Sequence, residues 1–153
     1  MKEKNILEVD NKELEREGIH EAPFAFLKIS KLNLQVPLYN FDSSNNQVDK
    51  NVTILNESIF PDKAKSHIFF AAHSGETKIA YFRNLDLLEM NDRIIFIYKE
   101  KEYHYQIYKR EEQPKRGVLE FDKCENHCLS LITCSKINET QIIYYGKLIH
   151  TTN

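Results

Sequence analysis

From Pro23 onward the chain alternates apolar and polar positions in short runs separated by polar stretches. Phe24, Phe26, Leu27 and Ile29, then Leu32, Leu34, Val36 and Leu38, form two such runs around Ser30-Lys31. That pattern predicts strand, turn, strand. Pro37 near the end of the second run predicts an edge or a terminus, because proline gives the ladder no N–H. The polar stretch 40–51 predicts a loop. Val52 to Leu55 is a short apolar segment that fits either a helical turn or a strand. Ser66 to Ala72 predicts a buried strand that stops at His73. Thr77 to Leu88 spaces Ile79, Ala80, Phe82, Leu85 and Leu88 in a roughly helical way. Asn91-Asp92 predicts a turn with Asn91 in the left-handed region.

Arg93 to Tyr98 and Tyr103 to Lys109 predict two strands, with Lys99 to Glu102 as the hairpin loop. Glu111 to Arg116 reads as a polar connector containing Pro114, and order resumes at Gly117-Val118-Leu119. Leu129 to Thr133 and Gln141 to Ile149 predict the last two strands. Seven or eight strands with one or two short helices make a mainly β fold, an antiparallel barrel or sandwich. Residues 1–22 are charged and only weakly periodic, and read as an arm or tether. Residues 23–153 read as a single domain.

Composition narrows the functional classes. The 153 residues are 41% apolar, which argues against disorder. A net charge of −2 and a pI near 6.3 supply no field for nucleic acid or an anionic membrane. No window approaches the roughly 18 apolar residues that mark a membrane span. An anchor preceding this chain stays compatible with that pattern. The three cysteines, Cys124, Cys128 and Cys134, are an odd number, unlike a disulfide scaffold. Free thiols are the default for Cys124 and Cys128, and a local disulfide through a turn at Glu125-Asn126-His127 is the alternative. A zinc site using the three cysteines and His127 lacks a second ligand pair. The dispersed acidic residues form no recognisable calcium loop.

Two stretches carry candidate chemistry. Ser130-Leu131-Ile132-Thr133-Cys134 is a β-rich run that delivers a thiol to its end, with polar residues following at once. Ile68-Phe69-Phe70-Ala71-Ala72 is an apolar run that delivers His73-Ser74-Gly75. If the two strand ends are neighbours, the chain holds a Cys/His pair, the minimum for nucleophilic acyl transfer. A thiolate is the competent nucleophile, and an imidazole can protonate an amine leaving group. His67 reads as a strand-start residue without a role in that chemistry.

In series, these strings resemble the sortases, the Gram-positive cysteine transpeptidases. The opening strands Phe26-Leu27-Lys28-Ile29 to Val36-Pro37-Leu38-Tyr39 resemble theirs. So do Ala72-His73-Ser74-Gly75, Phe82-Arg83-Asn84-Leu85-Asp86-Leu87-Leu88 with Asn91-Asp92, Tyr103-His104-Tyr105, and Ser130 to Cys134. The likeness spans roughly Phe24 to Ile149. It implies an eight-stranded sortase-type β-barrel. It implies Cys134 as nucleophile on an LPxTG-type sorting signal, with His73 as acid and base. Ser74, Ile132 and Thr133 would contact substrate. The acyl group would pass to an amine of a cell-wall precursor or a pilin, with no cofactor. The resemblance also implies a site outside the cytoplasm, with membrane attachment only through a segment not in this chain.

One position departs from the family. Aligning on Gly146 puts Gln141 where an arginine is expected. Gln141 offers a neutral hydrogen bond to an oxyanion but no charge. Three readings follow. Gln141 serves in a working enzyme, or Arg83 or Arg116 substitutes, or the domain is catalytically impaired and only binds sorting peptides or pilin segments.

Overall fold

The computed structural model describes residues 21–75, 77–115, 119–135 and 139–153. The predicted arm, except its last two residues, lies outside them, as does Arg116. Eight strands form one sheet: β1 (Ala25–Ile29), β2 (Leu34–Leu38), β3 (Thr53–Ile54), β4 (His67–Ala71), β5 (Arg93–Tyr98), β6 (Lys101–Pro114), β7 (Cys128–Cys134) and β8 (Thr140–Thr152). Their order is β2-β1-β5-β6-β8-β7-β4-β3, rolled into a nearly closed barrel. β2 lies at the sheet edge, as Pro37 predicts.

Every pairing is antiparallel except β4 with β7, which is parallel. A parallel pair needs a long crossover, and here β5 and β6 fill the interval. The consequence is functional. Parallel neighbours end on the same side, so the residues after β4 and at the end of β7 share one rim of the barrel.

Inside the barrel Leu27, Ile29, Phe70, Phe96, Tyr105, Leu129, Leu131 and Tyr144 form the core. Side chains alternate across a strand, so the intervening residues of β4, β7 and β8 face outward. There Phe69, Ile132, Ile143 and Tyr145 make a second, smaller apolar cluster. That is why β7 reads as a continuous apolar run: six of its seven residues are buried, on both faces.

Several expectations change. Among the described residues helix is confined to two 3-10 turns, Ser30–Leu32 and Leu85–Leu87. The helical spacing of Thr77 to Leu88 instead serves a series of turns, whose Phe82, Leu85 and Leu88 plug the core. Val52 to Leu55 yields the two-residue strand β3. The β5–β6 turn is only Lys99-Glu100, both at positive φ (50° and 65°), as a two-residue hairpin turn requires. Asn91 takes the left-handed conformation expected of it, at φ 75°.

The polar connector predicted from Glu111 is in fact the end of β6. Glu111, Glu112, Gln113 and Pro114 pair with Ile143, Ile142, Gln141 and Thr140. Its apolar partner strand needs a neighbour to satisfy its backbone, and charged side chains serve because they pair. Lys109 meets Asp122 at 2.7 Å and Arg110 meets Glu112 at 3.1 Å. The free-thiol default fails for two of the three cysteines. Glu125-Asn126-His127 turns the chain so that Cys124 and Cys128 stand 6.1 Å apart at Cα and form a disulfide. Cys134 is the free thiol. A zinc site built on all three sulfurs is thereby ruled out.

Candidate active site

The rim where β4 and β7 end collects the sequence-predicted residues. The parallel register runs from His67 opposite Cys128 to Ala71 opposite Ile132. Beyond it, the Ala72 N–H donates to the Ile132 carbonyl at 3.2 Å. The Thr133 hydroxyl donates to the Ala72 carbonyl at 2.8 Å. His73 and Cys134 each stand two residues beyond the last pair, Ala71 and Ile132, at the same rim. Thr133 is thus buried and its hydroxyl is occupied: it clips the two strand ends together. Ile132 lies on the outer apolar face, and Ser74 is buried at the rim.

His73 is half-exposed, and its Nε2 lies 3.1 Å from Asp49 Oδ1. Among the described residues no hydrogen bond joins His73 to Cys134, whose side chain is partly exposed. Asp49 escaped the sequence reading because it sits in the polar loop 40–51 with no local motif. Its carboxylate can fix the imidazole's tautomer and orientation. The His73 carbonyl accepts from the Phe82 N–H at 3.0 Å, which ties the 77–88 segment to the rim.

Gln141 is the direct cross-strand neighbour of Cys134, and Gln113 of β6 is the neighbour of Gln141 in turn. By alternation Gln141 lies on the outer face with Ile143 and Tyr145. Gln113 is engaged: its amide bonds Glu111 and the Glu120 carbonyl, and its oxygen accepts the Glu120 N–H at 3.0 Å.

Two different environments meet at the thiol. The outer face carries Phe69, Ile132, Ile143 and Tyr145, with Ala71, Leu55, Leu119 and Phe121 packed against them. The segment 119–124 arches over this face. It is fastened by the Gln113–Glu120 bonds, by Lys109–Asp122, by Asp122 N–H to the Tyr145 hydroxyl at 3.2 Å, and by the disulfide. Beneath the same face His67 stacks on Phe69 with ring centres 4.1 Å apart, and its Nε2 meets Ser130 Oγ at 2.6 Å. Burial pushes its pKa down to about 4, so the ring is neutral at pH 7.

On the other side of β7 and β8 lies a cavity of about 290 Å³. Cys134, Thr133, Ser135 and Ile142 form one wall, Ser74, Phe82, Arg83 and Asp86 a second, and Arg110 and Glu112 of β6 a third. The thiol at the strand end therefore touches a charged cavity, while its strand parity places it with the apolar face. Arg110 and Glu112 escaped the sequence reading because Glu112 fell in the supposed connector and Arg110 just before it, past the end of the predicted strand.

These features are those of a barrel cysteine transferase, and comparison names the family. The model of the sortase domain family matches residues 27–149. The chain belongs to the sortase family, whose members are cysteine transpeptidases. A search of curated protein sequences gave no match. Solved structures agree on the fold. Sortase C1 of Streptococcus agalactiae is 20% identical with a TM-score of 0.69, covering 82% of this chain and 67% of that one. Sortase A of Listeria monocytogenes is 16% identical with a TM-score of 0.70, covering 86% and 90%. Sortase E1 of Streptomyces coelicolor, solved with a tripeptide in the active site, is 22% identical with a TM-score of 0.69, covering 84% and 89%. Sortases are Gram-positive cell-surface enzymes. Among the described residues of this chain, no helix is long and apolar enough to cross a membrane.

Proposed function

We propose that this chain is a working cysteine transpeptidase acting on an LPxTG-type sorting signal. The observation that supports the reading is the parallel β4–β7 pair, which brings the strand ends followed by His73 and carrying the free thiol of Cys134 to one rim. Cys134 as thiolate attacks the peptide carbonyl, and His73 protonates the departing amine. Gln141, next to Cys134 on β8, donates its amide N–H to the oxyanion. An amine then attacks the thioester, His73 takes its proton, and the thiolate is regenerated. The acceptor is an amine of a cell-wall precursor or a pilin, at the outer surface of a Gram-positive cell. No cofactor takes part. Ile132, with the partly exposed Leu119 and Phe121 of the arch, meets the signal's apolar residues, and Ser74 and Thr133 form the rim around the reacting bond. Residues 1–22 are a tether and 23–153 the catalytic domain.

Intact-mass spectrometry with a panel of LPxTG-like peptides tests this reading. A peptide-acyl adduct that maps to Cys134, disappears in Cys134→Ala, and is discharged by an added amine is the expected result. Absence of an adduct with every peptide would instead favour a domain that binds sorting peptides or pilin segments without turnover.

A further inference from the structure

A transpeptidase must admit two substrates to one thiol, and the two environments that meet at Cys134 differ in kind. The outer side carries the arch, whose partly exposed Leu119 and Phe121 are apolar and suit the side chains of a peptide donor. The cavity on the other side of β7 and β8 is lined by two arginines and two carboxylates. Their charges are not all spent on one another. Arg110 pairs with Glu112 at 3.1 Å and donates to the Tyr144 hydroxyl at 3.3 Å. Arg83 bonds only backbone carbonyls, Ala80 O through Nε at 3.2 Å and Thr77 O through one terminal nitrogen at 2.6 Å. Those bonds fix the guanidinium without neutralising it, and leave donors over. Among the described residues no carboxylate pairs with Arg83, and no cation pairs with Asp86 three residues on.

A held cation and an unpaired carboxylate on one cavity wall suit a ligand carrying both an amine and a carboxylate. The volume of about 290 Å³ fits an amino acid or a dipeptide. From this, and resting on the transpeptidase reading above, we infer that the cavity is the acceptor site and selects an amine that bears a free carboxylate. Arg83 binds the carboxylate and Asp86 draws in the ammonium. The reaction balances without a further reagent. The neutral amine attacks the thioester carbon, the C–N bond forms and the C–S bond breaks. The sulfur leaves as the Cys134 thiolate, and the amine's proton passes to His73.

Glycylglycine and glycylglycinamide differ only in that carboxylate, and both can be titrated into the resting protein by NMR, following the arginine Nε–H signals. Glycylglycine should bind about tenfold more tightly, the scale of one charge-assisted contact, and should shift the Arg83 signal. Arg83→Gln should abolish the difference, while Arg93→Gln, an exposed arginine on β5, should keep it. Equal affinities for acid and amide, no binding of either, or a preference that survives Arg83→Gln would each overturn the assignment. Should Arg83→Gln fail to fold, the acid-to-amide ratio of the unaltered protein decides alone. The titration needs no acylation, so its outcome is separate from that of the Cys134 adduct experiment. Where the adduct forms, glycylglycine should also discharge it at lower concentration than the amide.

Discussion

On one side of β7 and β8 lie Ile132, Ile143 and Tyr145, covered by Leu119 and Phe121. On the other, at the barrel rim, lie Thr133 and Ile142 beside Arg83, Asp86, Arg110 and Glu112. The same two strands supply both sets, because consecutive residues point to opposite faces. One face is held closed by an arch with polar fastenings. The other stays open and charged. The difference teaches how one pair of strands can present two chemistries: the Cys134 thiol sits where the strand stops, so neither face owns it.

His73 should serve both halves, so His73→Gln is the most damaging test of the division. Acylation by peptide and discharge by amine should both slow by about 10²–10⁴-fold, as for loss of a general acid–base. A loss confined to one half-reaction, read by pre-steady-state mass spectrometry, would break the symmetry. The next effect concerns the apolar side alone. His67 is neutral in the fold with a pKa near 4, against 6.5 when unfolded. The unfolded chain therefore binds the extra proton first. Stability is complete above about pH 6.5 and falls as pH drops towards 4, by about 3 kcal/mol from this group. Urea unfolding of the protein and of His67→Gln across that range should show the slope weakened in the variant.

Phe121 packs on Phe69 with ring centres 4.5 Å apart. Phe121→Ala should lower kcat/KM for the donor peptide by about tenfold while leaving the KM for the amine unchanged. Equal effects on both substrates would mean that the two faces are not separate sites. Gln141→Arg is the mildest test. It adds a charge on the outer face beside Cys134, and acylation should rise about two- to fivefold through better oxyanion stabilisation. Unchanged turnover would mean that another cation already supplies the charge.

Much of this was legible in the chain itself. Period-two runs located seven of the eight strands, and the eighth, β3, fell in the segment read as either helical turn or strand. The ends of two apolar runs picked out His73 and Cys134 because buried strands stop where the polar rim begins. The string order was enough to suggest the family. Local pattern failed where tertiary contacts reversed it. Glu111 to Pro114 look like a loop, yet they are strand, since β8 needs a partner and the carboxylates are met, Glu111 by Gln113 and the Tyr145 hydroxyl and Glu112 by Arg110. Thr77 to Leu88 look helical, yet only one 3-10 turn forms, since three of its apolar residues plug the barrel.

What the sequence determined alone was the alternation and the ends of the two buried runs, where an imidazole and a thiol stand, all properties of residues near one another along the chain. Only the fold decided that β4 and β7 run parallel, that Asp49 reaches His73, that Cys124 and Cys128 join, and that Arg83, which no carboxylate meets among the described residues, lines one cavity with Cys134. Those facts depend on which distant segments become neighbours, and burial and hydrogen-bond satisfaction over the whole sheet, not local propensity, select that arrangement.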